Sequence, residues 1–160
     1  MSVSLRVARV SDAADIAQLT SQLGYAVEPS AVAERLSRIL ARTDQQVFVA
    51  EADGRPAGWL HAALGVYLEA EAFVVIAGLV VDRNHRRKGI GRMLMAEAEE
   101  WARKQRCSIV RLSSTSARTA AHEFYRRLGY ANIKTQYSFA KLLDGSAPER
   151  LAAFVPRLDQ

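Results

Sequence analysis

The sequence predicts an α/β domain with a central mixed, mostly antiparallel sheet flanked by about four helices. Three observations predict it. Apolar runs of strand length recur between turn signals, over residues 46–52, 57–67 and 73–81. Other segments place apolar residues at helical spacing; Ile90, Leu94, Ala98 and Trp101 do so, with Glu97, Glu99 and Glu100 between them. Finally, the strand over 73–81 enters that helix through a basic turn, Arg86-Arg87-Lys88-Gly89-Ile90-Gly91. A chain of 160 residues suits one domain with one core. The expected division is a domain over 1–144 and a tail over 145–160 that holds a short helix.

In chain order, Leu5, Val7 and Val10 predict a first strand. Ser11 is placed to cap a helix, and Asp12 and Asp15 favour its positive end. Ile16, Leu19 and Leu23 repeat at helical spacing until Gly24 stops the helix. Glu28-Pro29-Ser30 opens a second helix, which turns Val32, Leu36, Ile39 and Leu40 inward and breaks at Thr43 and Asp44. Residues 46–52 form a strand, Asp53-Gly54 a hairpin turn, and 57–67 the partner strand. A turn over 68–71 leads into 73–81, so the three strands make an antiparallel meander. Asp82 to His85 is a loop. After the helix that ends near Arg106, Ile109, Val110 and Leu112 mark a strand over 108–113. A helical crossover precedes it, which sets it parallel to 73–81. Residues 114–116 form a loop or cap. The next helix carries Ala120, Ala121, Phe124, Tyr125 and Leu128 on its apolar side and ends at Gly129. Over 132–143, Ile133, Thr135, Tyr137, Phe139 and Lys141 alternate in the manner of a strand. Residues 147–154 read as a short helix, and the last few residues as mobile.

Composition narrows the function classes. The net charge of +5 suits a polyanionic ligand, nucleic acid or an acidic membrane. Aromatic residues do not interleave with the basic clusters and no nucleic-acid motif is visible, so nucleic acid is not expected as the partner. The apolar runs are too short to span a bilayer, and the first fifteen or so residues lack the apolar centre of a secretory signal. Cys107 is the one cysteine, so no internal disulfide is expected, which fits a reducing cytoplasm. It reads as a small buried side chain, not a nucleophile. The scattered His61, His85 and His122, without HxxxH or CxxC spacing, predict no metal site.

A strand that enters a helix through glycines and cations is a place to hold phosphate. Backbone N–H groups at a helix start point outward with partial positive charge, and glycines let an anion come near. No Walker loop is present, and Leu94 stands where a dinucleotide fingerprint needs its third glycine. The pattern that remains, Arg86-x-x-Gly89-x-Gly91 directly after a strand, resembles the signature of the GNAT family, the GCN5-related N-acetyltransferases. A second stretch, Arg118 to Tyr130, holds Ala121-His122 and Phe124-Tyr125 before Gly129-Tyr130. With Phe139-x-Lys141-x-Leu143 it resembles the branch of aminoalkylphosphonate and aminoglycoside-type acetyltransferases.

The resemblance implies a GNAT fold, its sheet splayed in the middle, and acetyl-coenzyme A as cosubstrate without a metal. The coenzyme site it implies is Arg86, Arg87, Lys88, Gly89, Ile90, Gly91 and Arg92, with Arg118 and Tyr125. The free amides of Leu79, Val80 and Val81 would pair with the pantetheine arm and stabilise the oxyanion. Tyr125 falls at the position of the general acid. Many relatives carry a strand glutamate as base, but Ile76-Ala77-Gly78 holds no carboxylate. Glu69 and Glu71 are the candidates for the base or the substrate side; His61, His85 or solvent are alternatives. Trp59, Tyr67, Tyr25 and Tyr137 are candidates for lining the cleft, with Glu28 and Glu34 facing a cationic substrate. The expected reaction moves an acetyl group to a primary amine of a small molecule in a ternary complex. A homodimer is expected through the tail after Leu143. The rival readings are a non-catalytic coenzyme A or nucleotide sensor, a peptide N-acetyltransferase and, more remotely, an RNA-binding domain.

Overall fold

The computed structural model describes residues 1–155. They form two compact units, 1–112 and 113–155. The expectation for the last few residues lies outside the described residues.

The first unit is built on a five-stranded sheet in the order β1-β2-β3-β4-β5. The strands are β1 (Val3–Val7), β2 (Gln45–Ala52), β3 (Arg55–Tyr67), β4 (Ala70–Val81) and β5 (Val110–Leu112). The first four pair antiparallel, and β5 runs parallel to β4 after a helical crossover. Asp53 (φ 52°) and Gly54 (φ 80°) join β2 to β3 in the left-handed conformation that a two-residue hairpin needs. The helices of this unit are α1 (Ala13–Ser21), α2 (Pro29–Leu40) and α3 (Ile90–Lys104).

Strand alternation sends successive side chains to opposite faces, and the helices follow that split. On one face Val47 and Val49 bury against Ile16 and Ala17 of α1 and Val32 and Leu36 of α2, with Trp59 packed beside them. Gly58, one residue away on β3, faces α3. A Cβ there would stand 2.8 Å from the Val80 carbonyl oxygen and 3.3 Å from side-chain atoms of Ile90 and Leu94. The missing side chain lets the start of α3 sit down on the sheet at β4. Leu60, Ile90, Leu94 and Met95 are among the largest fully buried side chains. Their removal from water, worth roughly 1.5–3 kcal/mol each, fixes α3 to the sheet.

Several elements differ from expectation. Val10 is not in β1 but opens a 3-10 turn, Val10–Asp12, that leads into α1. Asp12, not Ser11, organises that start: its carboxylate accepts from the Arg9 amide at 2.7 Å and from both terminal nitrogens of Arg6 at 2.8 Å. A carboxylate with a guanidinium partner outcompetes a hydroxyl. The β3–β4 turn is shorter than 68–71, because Ala70 pairs with Tyr67 and Glu71 already belongs to β4. Strand β5 covers three residues of the six expected.

The second unit holds α4 (Thr119–Arg127) and a 3-10 helix, Pro148–Phe154. The loop before α4 is pinned by His122 Nε2, 2.9 Å from the Thr115 carbonyl oxygen. Gly129 (φ 91°) follows the helix, as expected. The strand expected over 132–143 is absent: these residues belong to no sheet pairing and no helix. The physical reason is that alternation supplies the face of a strand but not its hydrogen bonds, which need a paired neighbour that local sequence does not fix. Within this unit, Ala140, Leu142, Arg150, Leu151 and Phe154 line a shallow hollow, beside which Arg150 bonds the Asp144 carboxylate.

Candidate functional site

The site is built at the end of β4. The β3–β4 register shifts there: His61 pairs with Gly78 but Ala62 pairs with Ile76, so Ala77 is an extra residue on β4. Such a bulge bends the strand and increases its twist. On its other side β4 pairs with β5 only from Val74 to Ile76. From Ala77 onward β4 therefore has a strand partner on one side alone among the described residues. Leu79, Val80 and Val81 lie in this stretch; Val80 is buried, and Leu79 and Val81 are half-buried.

The loop after β4 is held by polar contacts from α1. Gln22, at the end of α1, accepts from the Arg83 amide through Oε1 at 2.9 Å and donates to Asp82 Oδ1 at 3.2 Å. Asp82 also accepts from the Asn84 amide at 3.3 Å, and His85 Nδ1 lies 2.9 Å from its Oδ2. His85, with Gln22 and Asn84, holds the Asp82 carboxyl below the usual carboxylate range. The sequence signals the loop but not Gln22, whose partner lies sixty residues away.

Beyond His85 the backbone enters the left-handed region twice, at Arg87 (φ 63°) and Gly89 (φ 81°). Turns of this kind gather amides into an anion-binding concavity. Gly89 is the N-cap of α3, and the first helical bond runs from the Met93 amide to the Gly89 carbonyl at 3.0 Å. The amides of Ile90, Gly91 and Arg92 thus precede any helical acceptor and point out of the helix start. A Cβ at Gly89 would meet nothing within 4 Å, so this position is set by torsion and not by crowding. Arg86, Arg87, Lys88 and Arg92 are exposed, and none is in an ion pair among the described residues. Arg86 Nε reaches back to the Val81 carbonyl at 3.3 Å. Ile90 differs from its neighbours: its side chain is 1 % exposed and belongs to the core, so only its amide faces the loop.

The remaining candidates fall elsewhere. Glu69 lies in the turn before β4 and Glu71 at the start of β4, where it accepts from Ser108 Oγ at 3.2 Å. The length of β4 puts them roughly 35 Å from the loop. The structure does not bring these carboxylates together with the phosphate-type loop. Tyr67 packs edge-on against Phe73 at that same far end, their centroids 4.9 Å apart. His61 is nearer: it faces Gly78 across the bulge and is half-buried. Its Nε2 lies 2.7 Å from Gln45 Oε1. With that oxygen as acceptor, Nε2 carries the proton and Nδ1 the lone pair. Burial holds the imidazole below its ordinary value, so it is neutral at pH 7. Trp59 Nε1 is buried without a hydrogen-bond partner.

Arg118 and Tyr125 belong to the second unit, Arg118 as the N-cap of α4 and Tyr125 within it. Arg118 makes no side-chain capping bond. Tyr125 is half-buried against Phe124 and Tyr130, at centroid distances of 5.2 and 6.1 Å. Burial pushes its phenol pKa up, against the opposing pull of the Arg118 charge. At neutral pH it holds its proton. Among the described residues no group of three or more His, Cys, Asp or Glu is placed to hold a metal ion, and no helix is long and apolar enough to cross a membrane.

Residues 13–130 match the family model described as acetyltransferase (GNAT) family. An uncharacterized N-acetyltransferase of Methanocaldococcus jannaschii is 32% identical over 94 residues, covering 58% of this chain and 42% of that protein. The chain spans less than half the length of the first two curated relatives that it matches. The aminoglycoside N(6')-acetyltransferase type 1 of Stenotrophomonas maltophilia is 29% identical over 149 residues, covering 90% of this chain and 96% of that protein. Among solved structures, AAC(6')-Iy in complex with the bisubstrate analogue CoA-S-monomethyl-acetylneamine superposes with a TM-score of 0.80. It is 19% identical and covers 89% of this chain and 99% of that one, which shows a shared fold. With the glycine-and-arginine turn at the start of α3 and a model match across most of its length, the chain belongs to the acetyltransferase (GNAT) family.

Proposed function

We propose that the protein transfers the acetyl group of acetyl-coenzyme A to a primary amine of a small, cationic molecule by direct attack in a ternary complex. The observation that carries this reading is the end of β4. There a strand edge that has no neighbouring strand among the described residues runs straight into a turn with outward amides and cations that enter no ion pair among those residues. The diphosphate of the coenzyme would sit on the amides of residues 90–92, with Arg86, Arg87, Lys88 and Arg92 supplying charge. The pantetheine arm would pair with the open edge at Leu79, Val80 and Val81. An amide there would stabilise the oxyanion formed when the amine attacks the thioester carbonyl.

The balance of the reaction assigns two proton roles. The attacking amine is protonated in water, with a pKa near 10, and must lose a proton. We assign that proton to His61, through water, because His61 is neutral and flanks the bulge. The C–S bond breaks as the tetrahedral intermediate collapses, and the departing thiolate takes a proton from Tyr125. Relatives named aminoglycoside acetyltransferases, and the neighbour solved with an acetylneamine-based analogue, support a polyamine-like acceptor.

Free thiol released from acetyl-coenzyme A, followed across a panel of mono- and polyamines with aminoglycosides included, tests the reading. Turnover with at least one amine is expected. If the coenzyme binds and every amine fails, the chain is a sensor and the proposal falls.

A further inference from the structure

We propose that Gln22 is a positioning residue for the coenzyme turn, a role that rests on the reading that residues 86–91 hold the diphosphate of the coenzyme. Regular structure does not fix the approach to that turn. β4 ends at Val81, and the first bond of α3 closes only on the Gly89 carbonyl. Between them stand one 3-10 turn, Arg83–His85, and the left-handed residues Arg87 and Gly89. Such a segment takes its shape from side-chain bonds to its backbone.

Asp82 begins the segment. Its amide donates to the Ala57 carbonyl on β3 at 2.8 Å, which anchors the loop to the sheet at one point. Asn84 and His85 bond its carboxylate, but those contacts lie inside the loop and fix only its local shape. Gln22 adds a second anchor, through the Arg83 amide and Asp82 Oδ1, from sixty residues earlier in the chain. One anchor leaves a loop free to tilt, and a second sets the direction in which it departs. Direction matters here, because outward amides favour an anion only when they converge on it, and a loop held in advance binds more tightly.

The residue type fits the task. The position needs an acceptor for the Arg83 N–H beside a donor for the Asp82 carboxylate. A carboxamide supplies both, a carboxylate only acceptors, and an ammonium or guanidinium only donors. Nor does α1 call on this side chain. The amides of Gln22, Leu23 and Gly24 donate to the carbonyls of Leu19, Thr20 and Ser21 at 3.0, 2.9 and 3.0 Å. The helix end is closed by backbone, and Gly24 (φ 90°) turns the chain away. Both ends of the carboxamide are left for the loop, and Gln22 is half-buried, which strengthens bonds to a charged partner.

Calorimetry with coenzyme A on the full chain tests the role, because a titration reports affinity and the number of competent sites separately. Gln22→Ala should raise the dissociation constant about tenfold with the number of sites per chain unchanged. Its Arg83 amide should exchange hydrogen faster than in the parent. A role in stability alone would lower the number of sites and leave the constant as it was, and that result overturns the proposal. Gln22→Glu keeps an acceptor for Arg83 but turns an oxygen towards the Asp82 carboxylate, so its loss should be at least as large. Adding Asp82→Asn restores a donor facing an acceptor at the parent's net charge and should recover most of the affinity. A double variant no better than Gln22→Glu overturns the proposal too. Should Gln22→Glu fail to fold, Gln22→Ala decides by itself. Gly89→Asp separates this role from the reading beneath it. If Gly89→Asp weakens binding and Gln22→Ala does not, the role of Gln22 falls and the coenzyme turn stands. If Gly89→Asp binds as the parent does, or the parent takes up no coenzyme, both fall.

Discussion

Tyr125 serves as an acid only if its proton stays on until the thiolate departs. Burial raises its pKa from the ordinary phenol value near 10, and Arg118 pulls the other way. Tyr125→Phe keeps the ring and its packing and removes the proton. Turnover should fall by about two orders of magnitude, with the coenzyme dissociation constant within about twofold; an unchanged rate removes Tyr125 from the mechanism. His61 makes the complementary prediction. Its pKa is depressed by burial, so the neutral base is present at pH 7 and is lost only as pH falls below the ordinary value of about 6.5. His61→Gln should lower kcat about tenfold or more and abolish that acid limb; a limb that survives intact belongs to another group. The expectation for Tyr125 comes from the resemblance of a local motif to the family pattern, and the rate of the Phe variant tests it. The difference between His61 and Glu71 was not legible in the sequence. Nothing along the chain says that Gly78 faces His61 while Glu71 sits at the other end of the same strand.

At the scale of elements, the start of α3 is a junction of torsion and charge. Gly89 holds φ 81° with open space around its α-carbon. Gly89→Asp must therefore act through backbone strain of about 1–2 kcal/mol and through a negative charge beside the anion. Affinity for coenzyme A, measured by calorimetry, should drop at least tenfold, with no gross loss of helix. Undiminished affinity would make the turn ordinary structure. The strands, helices and turns were largely readable from periodicity and from glycine, proline and aspartate signals. The failures share a cause. Val10 leaves β1 because Asp12 bonds Arg6 and the Arg9 amide, and 132–143 keeps a strand pattern without a strand because its pairing partner is not a matter of local sequence.

For the molecule as a whole, Arg6 is the charge that ties the first unit together. Its guanidinium bonds Asp12 at the start of α1 and Glu51 on β2 at 2.7 Å. The Asp12 carboxyl is held below its ordinary value chiefly by the Arg6 hydrogen bond. A depressed folded-state pKa contributes stability above the unfolded value, about 3.9, and loses it as pH falls through the folded value. Asp12→Asn should therefore cost about 2 kcal/mol at pH 7. In urea titrations the gap to the parent should narrow below about pH 4; a gap that stays constant with pH assigns the loss to packing.

By itself the sequence determined the class of fold, the order of most elements and the glycine turn into α3, since periodicity, turn chemistry and a six-residue motif are all local. Only the tertiary structure decided where β4 loses its neighbour, that Gln22 braces the loop through Asp82, which histidine lies beside the bulge, and that a strand-patterned segment enters no sheet pairing. Each of those depends on which distant residues are paired, and pairing is set by the closing of the whole sheet, not by any one stretch of chain.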